Sequence, residues 1–367
     1  MKKILLITIQ DNNNIGNRLQ NYALQKILQQ YGAEVTNLDC GYTSVLSFKV
    51  FIKNQIKKYL GYLGSERYAE KYRMFINTQL RCKSIAQFTK GYITDVQQVT
   101  YENVFEKNWN TYDLAIVGSD QVWHKWRSAP NELPYYYLEF MPETKRVAYA
   151  ASFGFEDFPL ADRSEHINGL NGMHEISCRE NSGCTLVRKA TGKKAIHVLD
   201  PTLLLKAKDW REIESDIFSV VTLDERFIFA YFLGDITEEY RQFIDNVAQK
   251  RGLRIINFFD MQDEAIAQCG VGEFISFIDC ADYVLTDSFH CTVFSILFEK
   301  EFTVFRRKQE GFEKMYSRIE ELLQSVGRTD SAYDGISSDM SCESLQELYQ
   351  KSREYLEKIL KCSNSGS

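Results

Sequence analysis

The chain has 367 residues, 44% of them hydrophobic, and a formal net charge of −6 from 44 Lys and Arg against 50 Asp and Glu. That length exceeds one ordinary core and predicts two domains of similar size. The acidic balance excludes a nucleic-acid scaffold, so any bound anion must be met by local cations; no run of roughly 18 apolar residues exists to form a transmembrane helix.

The opening "MKKILLITIQDNNN" has a short apolar run and no small-residue cleavage site, so it reads as a buried first strand rather than a secretory leader. A polar loop, a helix over "IGNRLQNYALQKILQQYG" and a second strand "EVTNLDC" complete a βαβ start. The loop carries Gly16 alone, which disfavours NAD or FAD, whose fingerprint needs three glycines. Asn12, Asn13, Asn14 and Asn17 remain there as hydrogen-bonding candidates. Residues 45–110 break the rhythm and read as an inserted helical subdomain.

Alternation resumes in "YDLAIVGSDQVW", "KRVAYAASFG", "HEISCRENSGCTLVRKATG" and "KAIHVLDPTLLL", and a second series runs from "RFIFAYFLGDITEEYRQFID" to "GEFISFIDCADYVLTDSFHC". The expected fold is α/β, with two Rossmann-like doubly wound domains facing a central cleft. The boundaries are 1–205 (with the insertion), 206–335, and 336–367 for a C-terminal helix and frayed tail. Nine scattered cysteines with no Cys-x-x-Cys pair or zinc spacing predict reduced thiols in a cytoplasmic protein and no metal site.

Three strand ends hold polar residues that packing does not require: Gly118 to Gln121, Arg179 to Ser182, and Asp287 to His290. His290 opens a helix directly after a strand, where free N–H groups and the helix dipole favour an anion beside a group that titrates near neutrality. Arg179 also opens a helix and has the geometry to clamp a carboxylate or phosphate. Blander assignments stand beside these: Asp287 or Ser288 as a helix cap, Asp120 likewise, Arg179 in an ion pair, His290 as a buried core histidine. Cys291 neighbours His290, but adjacent helical side chains diverge by about 100°, so it reads as a packing residue and not a nucleophile.

In order and spacing, "NIGNRLQNYALQ", "YDLAIVGSDQVW", "VAYAASFG", "SCRENSG", "VLDPTLLL" and "ADYVLTDSFHCTVFSILFEKEF" resemble the motifs of the polysaccharide pyruvyl transferase family. The resemblance spans about residues 8–305. It implies a GT-B-like fold and transfer of the enolpyruvyl unit of phosphoenolpyruvate onto a sugar hydroxyl pair of a surface-polysaccharide precursor, as a ketal, with no cofactor. It places the family's general acid on His290, its strand-end aspartate on Asp120 as base, and its donor-gripping arginine on Arg179, with Asn181, Ser182 and Ser288 beside the donor. Many relatives carry an arginine where this chain has Ser288, so Arg306 or Arg307 is expected to supply the missing cation. Asn13, Asn14, Asn17 and Gln121 are the expected acceptor contacts. Two other functions fit the same architecture: a glycosyltransferase using a nucleotide sugar, and a non-catalytic saccharide-binding protein. The segment "FKVFIKNQIKKYLGYL" is amphipathic and imperfectly so; it reads either as a helix packed on the N-terminal domain or as a peripheral contact with an anionic membrane surface that carries a lipid-linked acceptor.

Overall fold

The computed structural model describes residues 1–11, 14–40, 57–59, 65–127, 129–222, 224–309, 316–336 and 343–361. Asn12, Asn13 and nearly all of the amphipathic segment 48–63, with its expected membrane contact, lie outside the described residues.

The central strands are short, rich in Ile, Leu, Val or Phe and buried on both faces, and they pair in parallel because a helix between most successive strands returns the chain to the same end of the sheet. The first sheet contains β1 (Lys3–Ile7), β2 (Glu34–Asp39), β3 (Val96–Gln98), β4 (Leu114–Val117), β5 (Arg146–Ala151), β6 (Glu175–Cys178) and β7 (Ile196–His197), in the order β3-β2-β1-β4-β5-β6-β7. The second contains β8 (Phe227–Tyr231), β9 (Arg254–Asn257), β10 (Tyr283–Thr286) and β11 (Phe302–Val304), in the order β11-β10-β8-β9. All described pairings between these strands are parallel.

The helices that shape the site are α1 (Ile15–Gln30), α2 (Glu66–Tyr92), α3 (Asn181–Thr191), α4 (Val271–Cys280), α5 (Phe289–Leu297), α6 (Ser317–Ser325) and α7 (Leu345–Lys361). Within the expected insertion, α2 is helical, but its sequel β3 is an edge strand of the first sheet. The helix α2 reaches across to the second unit: Asn77 Nδ2 donates to the Met261 carbonyl at 2.8 Å, and Arg81 lies over the Phe258 ring at 4.2 Å and donates to the Ile266 carbonyl. Each sheet has an apolar cluster of its own on one face, and a larger cluster joins the two. One apolar cluster runs from Ile4 and Leu19 through Trp210 to Phe229 and Phe294, and the Trp210 ring contacts Tyr22 of α1 at 5.6 Å and Phe294 of α5 at 4.7 Å. After the second sheet the chain returns to the first: in α7, Tyr355 donates its hydroxyl to the Ala148 carbonyl at 2.8 Å, and Ser352 Oγ accepts from Leu199 N at 2.8 Å. Burial of these joints on both sides fixes the two sheets relative to one another and so shapes the cleft between them.

Candidate active site

In the first sheet, β1 and β4 are neighbours whose continuations run to opposite sides; in the second, β8 and β10 are. Such switch points are where open α/β sheets hold ligands, beyond the carboxyl ends of the strands. Both switch points open on one cleft of about 330 Å³, lined by Ile9 and Asp11 after β1, Asp120 and Gln121 after β4, Leu233 after β8, and Asp287, Ser288 and His290 after β10.

Two helices begin at this cleft. Asn14 caps α1 by accepting from Asn17 N at 3.4 Å. Ser288 occupies the corresponding position of α5, but its hydroxyl makes no cap bond. Asp287 is no helix cap: its carboxylate accepts from Leu233 N at 2.7 Å, Gly234 N at 2.8 Å and Arg307 Nε at 3.1 Å, which ties the β8 loop and the β11 sequel to the start of α5. The two helix starts meet. A Cβ on Gly16 would stand 2.3 Å from His290 Nδ1, so glycine is what allows the imidazole to lie against α1. That ring is buried, and Nε2 has no hydrogen-bond partner among the described residues. A buried polar nitrogen without a partner is costly unless a ligand completes it.

Behind His290 sits a charge cluster. Arg179 makes ion pairs with Asp120 at 3.2 Å, Glu180 at 3.2 Å and Asp200 at 3.1 Å, and its guanidinium lies 4.9 Å from the centre of the Phe289 ring. Arg318, in the first turn of α6, approaches Asp120 at 4.0 Å and Glu180 at 3.8 Å. Burial pushes the Asp120 carboxyl up, but Arg179, His290 and Arg318 together outweigh it and hold the group below the usual carboxylate range. Burial pushes His290 below its ordinary value; Asp200 and Asp120 oppose this, while Arg179 and Arg318 add to it. Burial also lowers Arg318 to about 10, helped by the neighbouring Arg179 and Arg307 cations. The site therefore sets an ionised Asp120 and a His290 disposed to be neutral beside closely placed guanidinium groups.

The polysaccharide pyruvyl transferase family model matches residues 14–309. The chain belongs to the polysaccharide pyruvyl transferase family. No curated protein matches it in sequence. Among solved structures, UDP-GlcNAc 2-epimerase from Neisseria meningitidis bound to UDP-GlcNAc is similar at a TM-score of 0.50 and 10% identity, over 98% of this chain and 100% of that one. The MnaA–UDP co-structure from S. aureus is similar at 0.46 and 10% identity, over 98% and 89% of the two chains, and E. coli ADP-heptose LPS heptosyltransferase II at 0.37 and 10%, over 100% of each. The fold of this family member is GT-B-type, with two parallel α/β sheets facing one cleft.

In this pyruvyl transferase family member the expected residues divide into two groups. His290, Asp120, Arg179, Ser288, Arg307, Asn14, Asn17 and Gln121 all line the cleft. Asn17 is buried, and its Oδ1 has no hydrogen-bond partner among the described residues, which leaves an acceptor free for a ligand. Asn181, Ser182 and Arg306 are elsewhere. Asn181 and Ser182 begin α3 with exposed side chains that border two other grooves, because the chain has turned away from the cleft by then. Arg306 pairs with Glu320 at 2.5 Å, donates to the Gly335 carbonyl at 3.3 Å and stacks on Tyr316 at 4.6 Å. Its neighbour Arg307 takes the cleft-facing place. Arg179 has its three nitrogens committed to carboxylates, so it sets the geometry of Asp120 and Asp200.

Sequence reasoning missed Arg318 and Asp200. Asp200 sits within "VLDPTLLL" and accepts from Ser119 Oγ at 2.8 Å and Thr202 Oγ1 at 2.7 Å; an aspartate before a proline at a strand end was the available signal. Arg318 lies in an amphipathic helix with no motif of its own. The described residues contain no group of three or more His, Cys, Asp or Glu side chains arranged to hold a metal, and no helix long and apolar enough to cross a membrane.

Proposed function

We propose that this chain moves the enolpyruvyl unit of phosphoenolpyruvate onto a saccharide and closes it as a cyclic ketal across two hydroxyls. The observation that carries this reading is the buried His290 with its open Nε2, set between two helix starts and beside Asp120 and a group of arginines. The donor's phosphate and carboxylate meet Arg307, Arg318 and the N–H groups at the start of α5, with Ser288 leaving room where many relatives carry an arginine. Binding that anion raises the affinity of His290 for a proton, so the histidine becomes an acid when the donor is present.

In the reaction His290 gives a proton to donor C3 while the first sugar oxygen bonds to C2, and Asp120 accepts the hydroxyl proton. The C2–O bond to phosphate then breaks, and the second hydroxyl oxygen takes its place on C2. Of the two hydroxyl protons released, one restores His290 and the other leaves with inorganic phosphate. The guanidinium groups stabilise the departing dianion. The family membership supports a transferase, and Arg307 and Arg318 in the cleft lining support an anionic donor. Incubation of the full chain with phosphoenolpyruvate and a saccharide panel, following phosphate release and product mass, tests the reading. A product heavier than the acceptor by a pyruvate ketal is expected; a glycosyl product from a nucleotide sugar, or phosphoenolpyruvate binding without any turnover, would reject it.

A further inference from the structure

The chain has four tryptophans. Trp109, Trp123 and Trp210 are buried, whereas Trp126 is 54% exposed and lines the cleft. An indole left in water at the edge of a polar cleft is apolar surface that folding has not used. Nor is it a loosely held side chain. Its Nε1 donates to the Gln121 carbonyl at 3.2 Å, and its ring lies 4.3 Å from that of His124. The backbone that carries it is anchored by Glu132, which is itself 1% exposed. One carboxylate oxygen of Glu132 accepts from Trp126 N at 3.0 Å, and both accept from Arg127 N, at 3.1 and 3.0 Å. A buried carboxylate thus holds an exposed aromatic ring in place before any ligand binds, so little ordering entropy is left to lose on binding.

The chemistry of the face selects its occupant. The electron-rich face of an indole disfavours a small anion such as the donor, which has arginines elsewhere in the cleft. A pyranose ring suits it, because its hydroxyls project around the rim while one face presents C–H groups. The hydrogen bond to Gln121 ties the ring to the residue next to Asp120. We propose that Trp126 is the platform on which a pyranose ring of the acceptor stacks, holding its hydroxyl pair toward Asp120; the assignment of the occupant as acceptor rests on the pyruvyl-transfer reading.

Three of the four tryptophans are buried, so the difference in emission between wild type and Trp126→Phe isolates Trp126. The full chain is titrated with methyl glycosides of galacto, gluco, manno and N-acetylgluco configuration. A saturable change in Trp126 emission is expected with at least one of them. Trp126→Ala should raise the acceptor KM by about tenfold or more with kcat and phosphoenolpyruvate affinity unchanged, and Trp126→Phe and Trp126→Tyr should recover most of the loss. An acceptor KM within about twofold of wild type in Trp126→Ala, silence of Trp126 toward every glycoside, or a response to nucleotide sugars alone would overturn the proposal. Turnover of phosphoenolpyruvate with a silent Trp126 would remove the platform and keep pyruvyl transfer. A glycoside response without phosphoenolpyruvate binding would do the reverse.

Discussion

Gly16→Ala tests whether the site is built from the contact between two helix starts. The added Cβ would lie 2.3 Å from His290 Nδ1, 2.8 Å from Cε1 and 2.9 Å from Cγ, where ordinary contact begins at 3.4 Å. Relief requires the imidazole or the start of α1 to move by about 1 Å, and a displacement of about that size at a reacting group costs on the order of a hundredfold in rate. Stability is read separately. Overpacking costs roughly 1–3 kcal/mol, against an intrinsic gain of up to about 1 kcal/mol for replacing glycine by alanine in a helix. The decisive comparison is a double-mutant cycle by urea denaturation: Gly16→Ala should destabilise the wild type, yet be neutral or stabilising in a His290→Ala background, where the obstructing ring is gone. Turnover of the double variant should be no lower than that of His290→Ala alone. Equal effects of Gly16→Ala on stability in the two backgrounds would refute the claimed contact, and full turnover in Gly16→Ala would refute its importance for the acid.

His290→Ala should fold and bind donor while turnover falls about a hundredfold or more, and near-normal phosphate release would exclude it as the acid. Arg179→Ala should lower stability to urea by about 3–5 kcal/mol, because it leaves Asp120, Glu180 and Asp200 crowded together without their cation, and Arg179→Lys should not restore it; unchanged stability with weakened donor binding would instead make Arg179 a direct donor contact. By calorimetry, Arg307→Ala and Arg318→Ala should each weaken phosphoenolpyruvate binding by about tenfold or more while Arg306→Ala leaves it unchanged, and the opposite ranking would reverse the assignment of the donor cations. Burial lowers His166 to about 4, beside the Tyr137 hydroxyl at 2.8 Å and stacked on Phe158. Its unfolded value is higher, near 6.5, so the unfolded chain binds the extra proton; stability should be full above about 6.5 and fall by up to about 3 kcal/mol as pH drops to about 4. In His166→Gln that slope should flatten, as read by urea midpoints across the pH range.

Much of the fold was legible because its central strands are buried on both faces and therefore read as unbroken apolar runs, as in "ILLI", "LAIV" and "FIFAY". β3 was hidden for the opposite reason: it is three residues, Val96–Gln98, at a sheet edge, and two of them are polar. At the site, strand-end residues followed by a helix were recognisable because switch-point chemistry concentrates there. The expected residues that do not line the cleft are set apart from it by local direction. Arg306 and Arg307 are adjacent, yet Arg306 is taken up by Glu320 and the Tyr316 ring while Arg307 lines the cleft. Asn181 and Ser182 follow Arg179 closely, but the start of α3 turns them outward. Arg318 could not be found by motif, because its place depends on how α6 packs against the first sheet's strand ends. Gly16 was visible only as the absence of a nucleotide fingerprint; its use lies in a contact with His290, which no local pattern reveals.

On the pyruvyl-transfer reading, the charge arrangement lets an acidic chain hold a small polyanion. A lone arginine cluster in a cleft would attract anions at all times, but here Asp120, Glu180 and Asp200 meet Arg179, two of them also approach Arg318, and Asp287 meets Arg307, so every arginine named at the cleft wall has an acidic neighbour. Arg307 is oriented by Asp287, whose carboxylate also holds two backbone groups of the β8 loop, so that cation is placed by the second sheet. Asp120 and its partner Arg179 are placed by the first. His290 stands where the two sets meet, on a helix of the second sheet and against the first helix of the other. Its affinity for a proton is then set by both sheets at once: lowered by burial and the arginines, and raised by Asp120 and Asp200. On the pyruvyl-transfer reading, a donor anion that offsets the arginines raises that affinity, so His290 is charged while the donor is bound, which ties proton delivery to donor occupancy without a moving part.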